Sequence, residues 1–437
     1  MVVALDGFFG SSSSGSSDTL LLYTPMTSRR LPIAPVAAPS KRRLPLAEAV
    51  RPVDEACRPL YAVWEITLAC DLACRHCGSR AGKARPDELT TAEALDLVDQ
   101  MIALGVREVT LIGGEAYLRE DWLEIVRAFT KRDVLVNVTT GGRGFSPERA
   151  RAARDAGMEG ISVSVDGLRD THDRLRAVAG SFDAAMAALA NARAAGLRTS
   201  SNTQINQWNR HELTPLLEHL LAQGITAWQP QLTAAMGRAA DEPDLLLEPW
   251  HLVDLFPELA RLKARCDEVD ALFWPGNSLG YYGPYEAELR AAFPAGHRGS
   301  CGAGIKTLGI EANGDVKGCP SLPSEEYVGA NVRDASLSDI WQRAHQLRFT
   351  RDHTPARMKG FCASCYYSDE CRAGCNFMAH VLLGDIGDNP FCHHRALTLK
   401  EQGERERIVR VDRAPGMPFD HGRFEVVREA WPAEPAS

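Results

Sequence analysis

The chain has 437 residues, a length that accommodates two or three domains, and 45% of them are hydrophobic, which is enough for a sizeable core. The net charge of −8 argues against a nucleic-acid partner. The sequence has no run of about 18 apolar residues, so it does not predict a membrane span. The first residues lack the basic start of a secretory signal, so we expect a cytoplasmic protein.

Composition divides the chain into five segments. Residues 1–56 are rich in Ser, Pro and Arg and predict a disordered or loosely ordered arm. We assign residues 57–265 to an α/β region and residues 266–300 to a bridging segment. Residues 301–395 predict a small cysteine-rich domain that bound metal stabilises. Residues 396–437 are charged and predict a C-terminal tail.

Strand and helix patterns alternate within the α/β region. Runs with strand character lie at 63–68, 108–112, 134–139, 160–165, 198–203 and 226–232, and helical patterns lie near 91–104, 120–132, 147–156, 181–194 and 210–223. Thr90 and Glu93 have the spacing of a capping box at the start of the first helix. Six such units predict a parallel sheet with helices outside it, as a partial (β/α)6 TIM-like barrel. Ligands of such sheets bind at the carboxyl ends of the strands.

Three cysteines directly follow the first predicted strand. Cys70, Cys74 and Cys77 have the spacing C-x3-C-x2-C, and clustered cysteines in a large cytosolic chain indicate metal or redox chemistry. A short loop of this kind can hold three corners of an iron–sulfur cubane and leave the fourth iron open. The alternative is a zinc site completed by His76 or Cys57, although structural zinc usually takes paired ligands.

This triplet resembles the signature of radical S-adenosylmethionine (SAM) enzymes, with His76 where an aromatic residue is usual. In that family the open iron binds SAM, and reductive cleavage gives a 5′-deoxyadenosyl radical that abstracts hydrogen from the substrate. The resemblance therefore implies a [4Fe–4S] cluster and SAM as cofactors. It also implies an electron donor such as flavodoxin or ferredoxin.

Two further motifs of that family stand at the ends of later predicted strands. Gly113, Gly114 and Glu115 resemble its GGE motif, and the resemblance implies that Glu115 accepts a hydrogen bond from the SAM amino group. Ser164 and Asp166 belong to a segment resembling SxDG, which lines the SAM ribose in the family.

A third motif lies beyond the fourth strand. The stretch from His172 to Phe182 resembles the HDxxR…GSF segment of the family, and by that match Arg176 pairs with the SAM carboxylate. The alternative for Arg176 is a solvated surface arginine. Asn202, at the end of the fifth predicted strand, would complete the SAM pocket.

Seven cysteines between residues 301 and 392 resemble the SPASM pattern of auxiliary-cluster domains at every position. The resemblance implies two auxiliary [4Fe–4S] clusters. By this resemblance the ligands of the outer cluster would be Cys362, Cys365, Cys371 and Cys392. The ligands of the inner cluster would be Cys301, Cys319 and Cys375. Some members have a further cysteine where this chain has Ala295, so an open iron, a water or His297 would complete the inner cluster. Two zinc sites are the alternative, but seven cysteines divide badly between two four-ligand sites.

Two cysteines stand outside these patterns. Cys57 and Cys266 are interpreted as small buried hydrophobes. The alternative for Cys266 is a catalytic thiol that gives a hydrogen atom to a substrate radical, as an epimerase requires.

The resemblance covers about residues 61–395 and implies radical chemistry on a substrate C–H bond. Members with a SPASM domain largely modify peptides, so we expect crosslinking, thioether formation or epimerisation of a ribosomally made precursor peptide. Pro320 stands where the sulfatase-maturing members have an Asp base, which argues against formylglycine formation. The alternatives are a radical step on a small-molecule or cofactor precursor, and a non-enzymatic iron–sulfur or zinc module.

Overall fold

The computed structural model describes residues 46–280, 282–293, 296–297 and 299–432, which all belong to one compact unit. Most of the predicted arm, at 1–45, and Ala295 lie outside the described residues. The strands are β1 (Tyr61–Glu65), β2 (Glu108–Ile112), β3 (Leu135–Thr140), β4 (Gly160–Ser164), β5 (Arg198–Ile205), β6 (Ala227–Leu232), β7 (Leu272–Phe273), β8 (Thr307–Ile310), β9 (Asp315–Lys317), β10 (Ala330–Asn331), β11 (Glu404–Asp412) and β12 (Arg423–Ala430).

Helices cover the strands and connect them. In chain order they are α1 (Pro52–Ala56), α2 (Thr91–Leu104), α3 (Trp122–Thr130), α4 (Pro147–Asp155), α5 (Arg169–Arg176), α6 (Ser181–Ala194), α7 (Leu213–Ala222), α8 (Arg238–Asp241), α9 (Leu252–Glu268), α10 (Glu286–Leu289), α11 (Ser324–Tyr327), α12 (Leu337–Arg343), α13 (His345–Arg348), α14 (Gly360–Ala363), α15 (Ser368–Cys371), α16 (Asn376–Leu383) and α17 (His393–Glu401). The predicted capping box of α2 is present, because the Thr90 side chain accepts from the Glu93 amide and the Glu93 carboxylate accepts from the Thr90 amide.

One sheet organises the chain, in the order β10-β9-β8-β1-β2-β3-β4-β5-β6-β7. The strands from β1 to β7 pair in parallel, each with the next in sequence. The six predicted βα units are confirmed, but the sheet does not end with them. Strand β8, from the cysteine-rich segment, pairs in parallel with β1. The first strands of the cysteine-rich segment therefore extend the sheet of the α/β region.

Alternate residues of the central strands face two different environments. On the helix-covered face the side chains are buried, and in β2 they are the apolar Val109 and Leu111. On the opposite face of β4 and β5 they are polar and half-buried, and Ser162 donates a hydrogen bond to the Asn202 side chain at 3.0 Å. A closed TIM barrel fills its interior with layers of bulky branched side chains. This polar face instead offers hydroxyl and amide groups to a ligand.

The segment at residues 46–56 packs on the compact unit, which corrects the prediction of a loose arm there. Asp54, in α1, is fully buried and forms ion pairs with Arg348 at 2.8 Å and with Arg351 at 3.1 Å. Burial alone would raise the pKa of Asp54, but hydrogen bonds from Arg51 and Arg351 outweigh it and lower that pKa to about 2. The contact partners lie about 300 residues away in sequence, so the composition of the arm does not reveal them.

Asp54→Asn is expected to destabilise the fold by about 3 kcal/mol, because removing one partner of a buried ion pair leaves the other charge uncompensated. The free energy of unfolding in urea measures this effect. Asp99→Asn is the matched control, since Asp99 and Arg132 form an exposed pair that contributes less than about 1 kcal/mol. Because the folded-state pKa is lowered, the Asp54 contribution is present above the unfolded value of about 3.9 and is lost as the pH falls through about 2. Equal stability of the two variants would contradict this account of α1.

The C-terminal residues are also more structured than the predicted tail. Helix α17 precedes β11 and β12, which form a two-stranded antiparallel sheet. Arg395 of α17 forms a buried ion pair with Glu406 of β11 at 2.7 Å. Ile408 and Phe424 are buried in the main core. Because this hairpin buries few apolar residues among many charged ones, the sequence pattern resembles that of a solvated tail. None of the described helices has both the length and the apolar character required to cross a membrane.

Candidate active site

The cysteine triplet lies on the loop after β1, and each sulfur faces a hydrogen-bond donor. The Leu72 amide lies 3.4 Å from Cys70 Sγ, the Ala81 amide lies 3.4 Å from Cys77 Sγ, and Arg176 Nη1 lies 3.5 Å from Cys74 Sγ. Burial raises the pKa of Cys70 to about 12, so the free thiolate is disfavoured until a cation binds it. Three neighbouring sulfurs that each face a donor fit the cysteine ligands of an iron–sulfur cluster.

Gly113 and Gly114 allow the strand end of β2 to approach the triplet loop closely. A Cβ atom on Gly113 would lie 2.3 Å from the Thr67 carbonyl oxygen, and one on Gly114 would lie 2.6 Å from Cys70 Cβ. In return, the Gly114 amide donates to the Thr67 carbonyl at 2.9 Å. Any side chain at these two positions would therefore push the triplet loop away from the sheet.

Glu115 is fully buried beside the triplet loop. Its Oε2 accepts from Thr140 Oγ1 at 2.8 Å and from the Gly141 amide at 3.0 Å. Its Oε1 has no hydrogen-bond partner among the described residues. Burial raises the pKa of Glu115 to about 8, although both hydrogen bonds oppose that shift. A buried carboxylate with one unpartnered oxygen needs a donor, preferably a cationic one, and the SAM amino group fits that requirement.

Asp166 joins three predicted residues in one buried network. Its Oδ2 lies 2.9 Å from His76 Nε2 and 2.6 Å from Arg176 Nη2. Burial alone would raise the pKa of Asp166, but Arg176 and His76 outweigh it and hold that pKa below its usual range. Arg176 thus bridges Asp166 and Cys74, and it is not the solvated surface arginine that was the alternative. The network gives Arg176 and His76 partners within the protein.

Ser164 is the last residue of β4 and pairs in register with Asn202, which lies three residues before the end of β5. Both are half-buried on the polar face of the sheet. His172 is buried and accepts a hydrogen bond from the Asp166 amide at 3.1 Å. Burial, and then the nearby Arg176 charge, lower the pKa of His172 to about 3, so its imidazole is neutral. The structure therefore brings the predicted SAM contacts to one edge of the sheet.

Residues that sequence reasoning missed hold the triplet loop from its other side. Arg238 donates to the Cys74 carbonyl at 3.1 Å, and its amide donates to the Cys77 carbonyl at 3.0 Å. Asp420, between β11 and β12, accepts from Arg80 of the triplet loop at 2.7 Å. Its carbonyl oxygen accepts from the Gly237 amide at 2.8 Å. These contacts join distant segments, so no local pattern in the sequence indicates them.

The predicted ligands of the outer auxiliary cluster line one cavity of about 380 Å³. They are Cys362, Cys365, Cys371 and Cys392. Burial raises the pKa of Cys362 to about 12. Four cysteines around one cavity fit a four-iron cluster, and they fit a zinc ion as well.

The three predicted ligands of the inner cluster, Cys301, Cys319 and Cys375, line a second cavity, of about 440 Å³. Asn376 also lines it. Asn376 is fully buried, and neither of its amide atoms has a hydrogen-bond partner among the described residues. His297 is not among the described residues of this lining. Instead, its Nδ1 lies 3.2 Å from Tyr282 Oη, and Tyr282 lines the outer cavity.

The two remaining cysteines lie away from these sites. Cys266 is fully buried in the main hydrophobic core on α9, and burial raises the pKa of its thiol to about 11. This position favours the small hydrophobe over the hydrogen-atom donor. Cys57 precedes β1 whereas Cys70 follows it, and the Cys57 carbonyl accepts from Trp341 Nε1 at 2.9 Å. Since β1 runs between them, Cys57 does not fit a zinc site with the triplet.

Comparison with known protein families identifies both parts of the chain. The profile of the radical SAM superfamily matches residues 64–220. The profile of the SPASM iron–sulfur cluster-binding domain matches residues 301–366.

Relatives of known name cover most of the chain. The mycofactocin maturase MftC of Mycobacterium tuberculosis is 30% identical over 382 residues, which are 86% of this chain and 91% of the maturase. The AdoMet-dependent heme synthase of Methanosarcina barkeri is 29% identical over 346 residues, which are 77% of this chain and 97% of the synthase. Among solved structures, Streptococcus suis SuiB bound to S-adenosylmethionine has the same fold, with a TM-score of 0.59 and 17% identity over 74% of each chain. The chain therefore belongs to the radical SAM superfamily, as an enzyme that uses a [4Fe–4S] cluster and SAM and carries a SPASM domain for auxiliary iron–sulfur clusters.

Proposed function

We propose that this enzyme modifies a ribosomally made precursor peptide, by forming a crosslink or thioether or by epimerisation. The observation that carries the proposal is the likeness to a mycofactocin maturase, which extends over 86% of this chain at 30% identity. SuiB, which shares the fold, has been crystallised with a precursor peptide. An electron donor such as flavodoxin or ferredoxin is part of the proposal.

Cys70, Cys74 and Cys77 would hold the SAM-binding cluster. When bound, the cluster and SAM supply reductive cleavage of SAM and hydrogen abstraction from a substrate C–H bond. The chain's own residues bind and orient the cluster and SAM. Gly113 and Gly114 let the triplet loop lie against the sheet. The donors that face the three sulfurs stabilise the thiolate form of these cysteines.

Glu115 would receive the SAM amino group on Oε1, the atom that otherwise lacks a partner. Ser164 and Asn202 would face the nucleoside from the polar side of the sheet. For Arg176 we propose a positioning role, because its guanidinium already bridges Asp166 and Cys74. The peptide would enter along the polar face, where half-buried hydroxyl and amide groups can exchange water for backbone hydrogen bonds.

Asn376 would complete the inner auxiliary cluster through its amide oxygen, because it lines that cavity and its two amide atoms have no partner among the described residues. Asn376→Leu is expected to change the electron paramagnetic resonance (EPR) spectrum of the reduced inner cluster, while Asn376→Asp keeps an oxygen ligand and stays closer to the native spectrum. The measurement is made in a C70A/C74A/C77A background, which removes the signal of the first cluster. An unchanged spectrum in the leucine variant would exclude Asn376 as a ligand.

A second candidate function is a radical step on a heme precursor. The observation in its favour is the likeness to the heme synthase over 97% of that protein's length. Peptide and tetrapyrrole differ in how they would be held, since a tetrapyrrole needs a large apolar face and a peptide needs backbone partners.

The test is anoxic turnover with SAM, dithionite and either candidate precursor peptides or heme precursors, read by mass spectrometry. Peptides deuterated at side-chain carbons and α-carbons should transfer deuterium to 5′-deoxyadenosine. A peptide that loses two hydrogens has been crosslinked, and one of unchanged mass that takes up solvent deuterium has been epimerised. Deuterium transfer from a heme precursor, with none from any peptide, would reject the peptide proposal in favour of the second candidate.

A further inference from the structure

Among the described residues, Glu326, His380 and His421 form a group of metal-ligand side chains that the SAM and cluster sites do not use. One ligand atom from each lies within 4.8 Å of the other two. Glu326 belongs to α11 and His380 to α16, whereas His421 lies on the loop between β11 and β12. Three separate segments therefore meet at one point.

The distances match those of a small coordination sphere. His421 Nε2 lies 3.3 Å from Glu326 Oε1, and His380 Nε2 lies 3.7 Å from the same oxygen. In a tetrahedral zinc site with nitrogen and oxygen bonds of about 2.0–2.2 Å, neighbouring ligand atoms lie roughly 3.3–3.5 Å apart. The two imidazole–carboxylate distances lie within a few tenths of an ångström of that spacing, and the ligand atoms of the two histidines lie within 4.8 Å of each other.

The Nδ1 atoms of His421 and His380 have partners within the protein, so the Nε2 atoms of both rings are the ones that can bind a metal. His421 Nδ1 lies 2.8 Å from the Gly422 carbonyl oxygen, which can only accept, so Nδ1 carries the proton in the neutral ring. His380 Nδ1 lies 3.0 Å from Tyr327 Oη. Metal-ligating histidines characteristically use the second ring nitrogen in this way.

His380 supplies an independent indication that a ligand belongs here. Its side chain is only 9% exposed, and its Nε2 has no hydrogen-bond partner among the described residues. A buried ring nitrogen without a partner needs an explanation. Glu326 is 41% exposed, so solvent can reach the fourth coordination position.

We propose that Glu326, His380 and His421 bind a zinc ion that fastens the β11–β12 loop to α11 and α16. Two imidazoles and one carboxylate are a ligand set that zinc accepts. Fixing the position of this loop matters for the SAM site, because its Asp420 accepts a hydrogen bond from Arg80 of the triplet loop. Phe419 of the same loop packs on Met236 and Val381. The zinc ion would thus stabilise one wall of the SAM site, and the inference does not depend on which substrate the enzyme modifies.

The test uses full-length protein, purified anoxically with its cysteine sites filled with iron and sulfide. The protein is treated with EDTA, desalted, incubated with zinc sulfate and desalted again. We expect one retained zinc ion per chain, with nitrogen and oxygen scattering at about 2.0–2.1 Å in zinc X-ray absorption and no sulfur at about 2.3 Å. Zinc bound to sulfur, or no zinc retained, would overturn the proposal.

His421→Gln should lower zinc affinity at least tenfold, and Glu326→Gln should also weaken it. His211→Gln is the matched control, since His211 is exposed and should leave zinc retention unchanged. His421 lies on a loop, so its variant should fold even where a His380 variant does not, and circular dichroism checks this. Zinc should also slow amide exchange at residues 412–422 in the native protein and not in His421→Gln. Equal zinc retention in the native protein and His421→Gln would reject the site. Amide exchange at residues 412–422 that zinc does not slow in the native protein would reject the proposal that zinc stabilises the loop.

Discussion

The C70A/C74A/C77A variant is expected to lose all reductive cleavage of SAM while keeping its auxiliary clusters. The three sulfurs lie on one loop, and the four outer and three inner cysteines line two other cavities. Removing one ligand set should therefore leave the others intact. Iron should fall by the content of one [4Fe–4S] cluster, and 5′-deoxyadenosine should fall to the level without enzyme.

The controls are Cys57→Ala and Cys266→Ala, the same substitution at the two cysteines outside all three groups. Both should keep the full iron content and SAM cleavage. Cys266→Ala should also keep product formation, because Cys266 lies in the hydrophobic core. Loss of product with SAM cleavage intact would restore Cys266 as a hydrogen-atom donor. Anoxic native protein that shows tetrahedral zinc–sulfur scattering and no iron would contradict the assignment of the triplet.

The central sheet and the cysteine groups follow from the sequence because their signals are local. Strands β1 to β6 have strand-type runs, and the triplet cysteines lie within eight residues of one another. The division of the seven later cysteines into two ligand sets rests on the family resemblance, because Cys375 lies between Cys371 and Cys392 in sequence. Short strands carry too few residues for such a signal, so β7 and β8 to β10 were missed. Helix α5 was missed as a helix because most of its residues are charged, and its acidic and basic residues were interpreted only as a motif.

The supporting contacts of the site could not be predicted, because they join segments far apart in the chain. Arg238 reaches Cys74 across 164 residues, and Arg80 reaches Asp420 across 340 residues. The contacts of Arg176 could not be predicted from the sequence either. The motif identified the residue, but only the fold shows that its guanidinium lies between Cys74 and Asp166. A motif indicates that a side chain matters, whereas its partners depend on packing.

Glu115→Gln is expected to weaken SAM binding by about 100-fold. The fully buried carboxylate is held by Thr140 and Gly141 through Oε2, which leaves Oε1 for the SAM amino group. Removing one partner of a buried charge pair costs about 2–5 kcal/mol, and each tenfold of affinity is about 1.4 kcal/mol. Equilibrium dialysis of SAM against the anoxic, cluster-loaded protein measures the dissociation constant.

Glu108→Gln is the matched control, because Glu108 begins the same strand that ends just before Glu115. It accepts a hydrogen bond from Asn137 at 3.1 Å, and a glutamine oxygen can accept the same bond. SAM affinity should therefore stay within about twofold of the native value, as expected for a residue that keeps its hydrogen bond. An equal loss of affinity in both variants would show that the effect is structural.

The affinity for SAM should also depend on pH through Glu115. Burial raises the pKa of this carboxyl to about 8, so at lower pH the proton must leave before the carboxylate can pair with the SAM amino group. The dissociation constant should fall by up to about tenfold per pH unit as the pH rises toward 8, and stop falling there, because an α-amino group such as that of SAM loses its own proton at about pH 7.7–8.0. Glutamine does not titrate, so the slope should disappear in Glu115→Gln and persist in Glu108→Gln. A slope that survives in Glu115→Gln would assign the titration to another group and remove Glu115 from the SAM site.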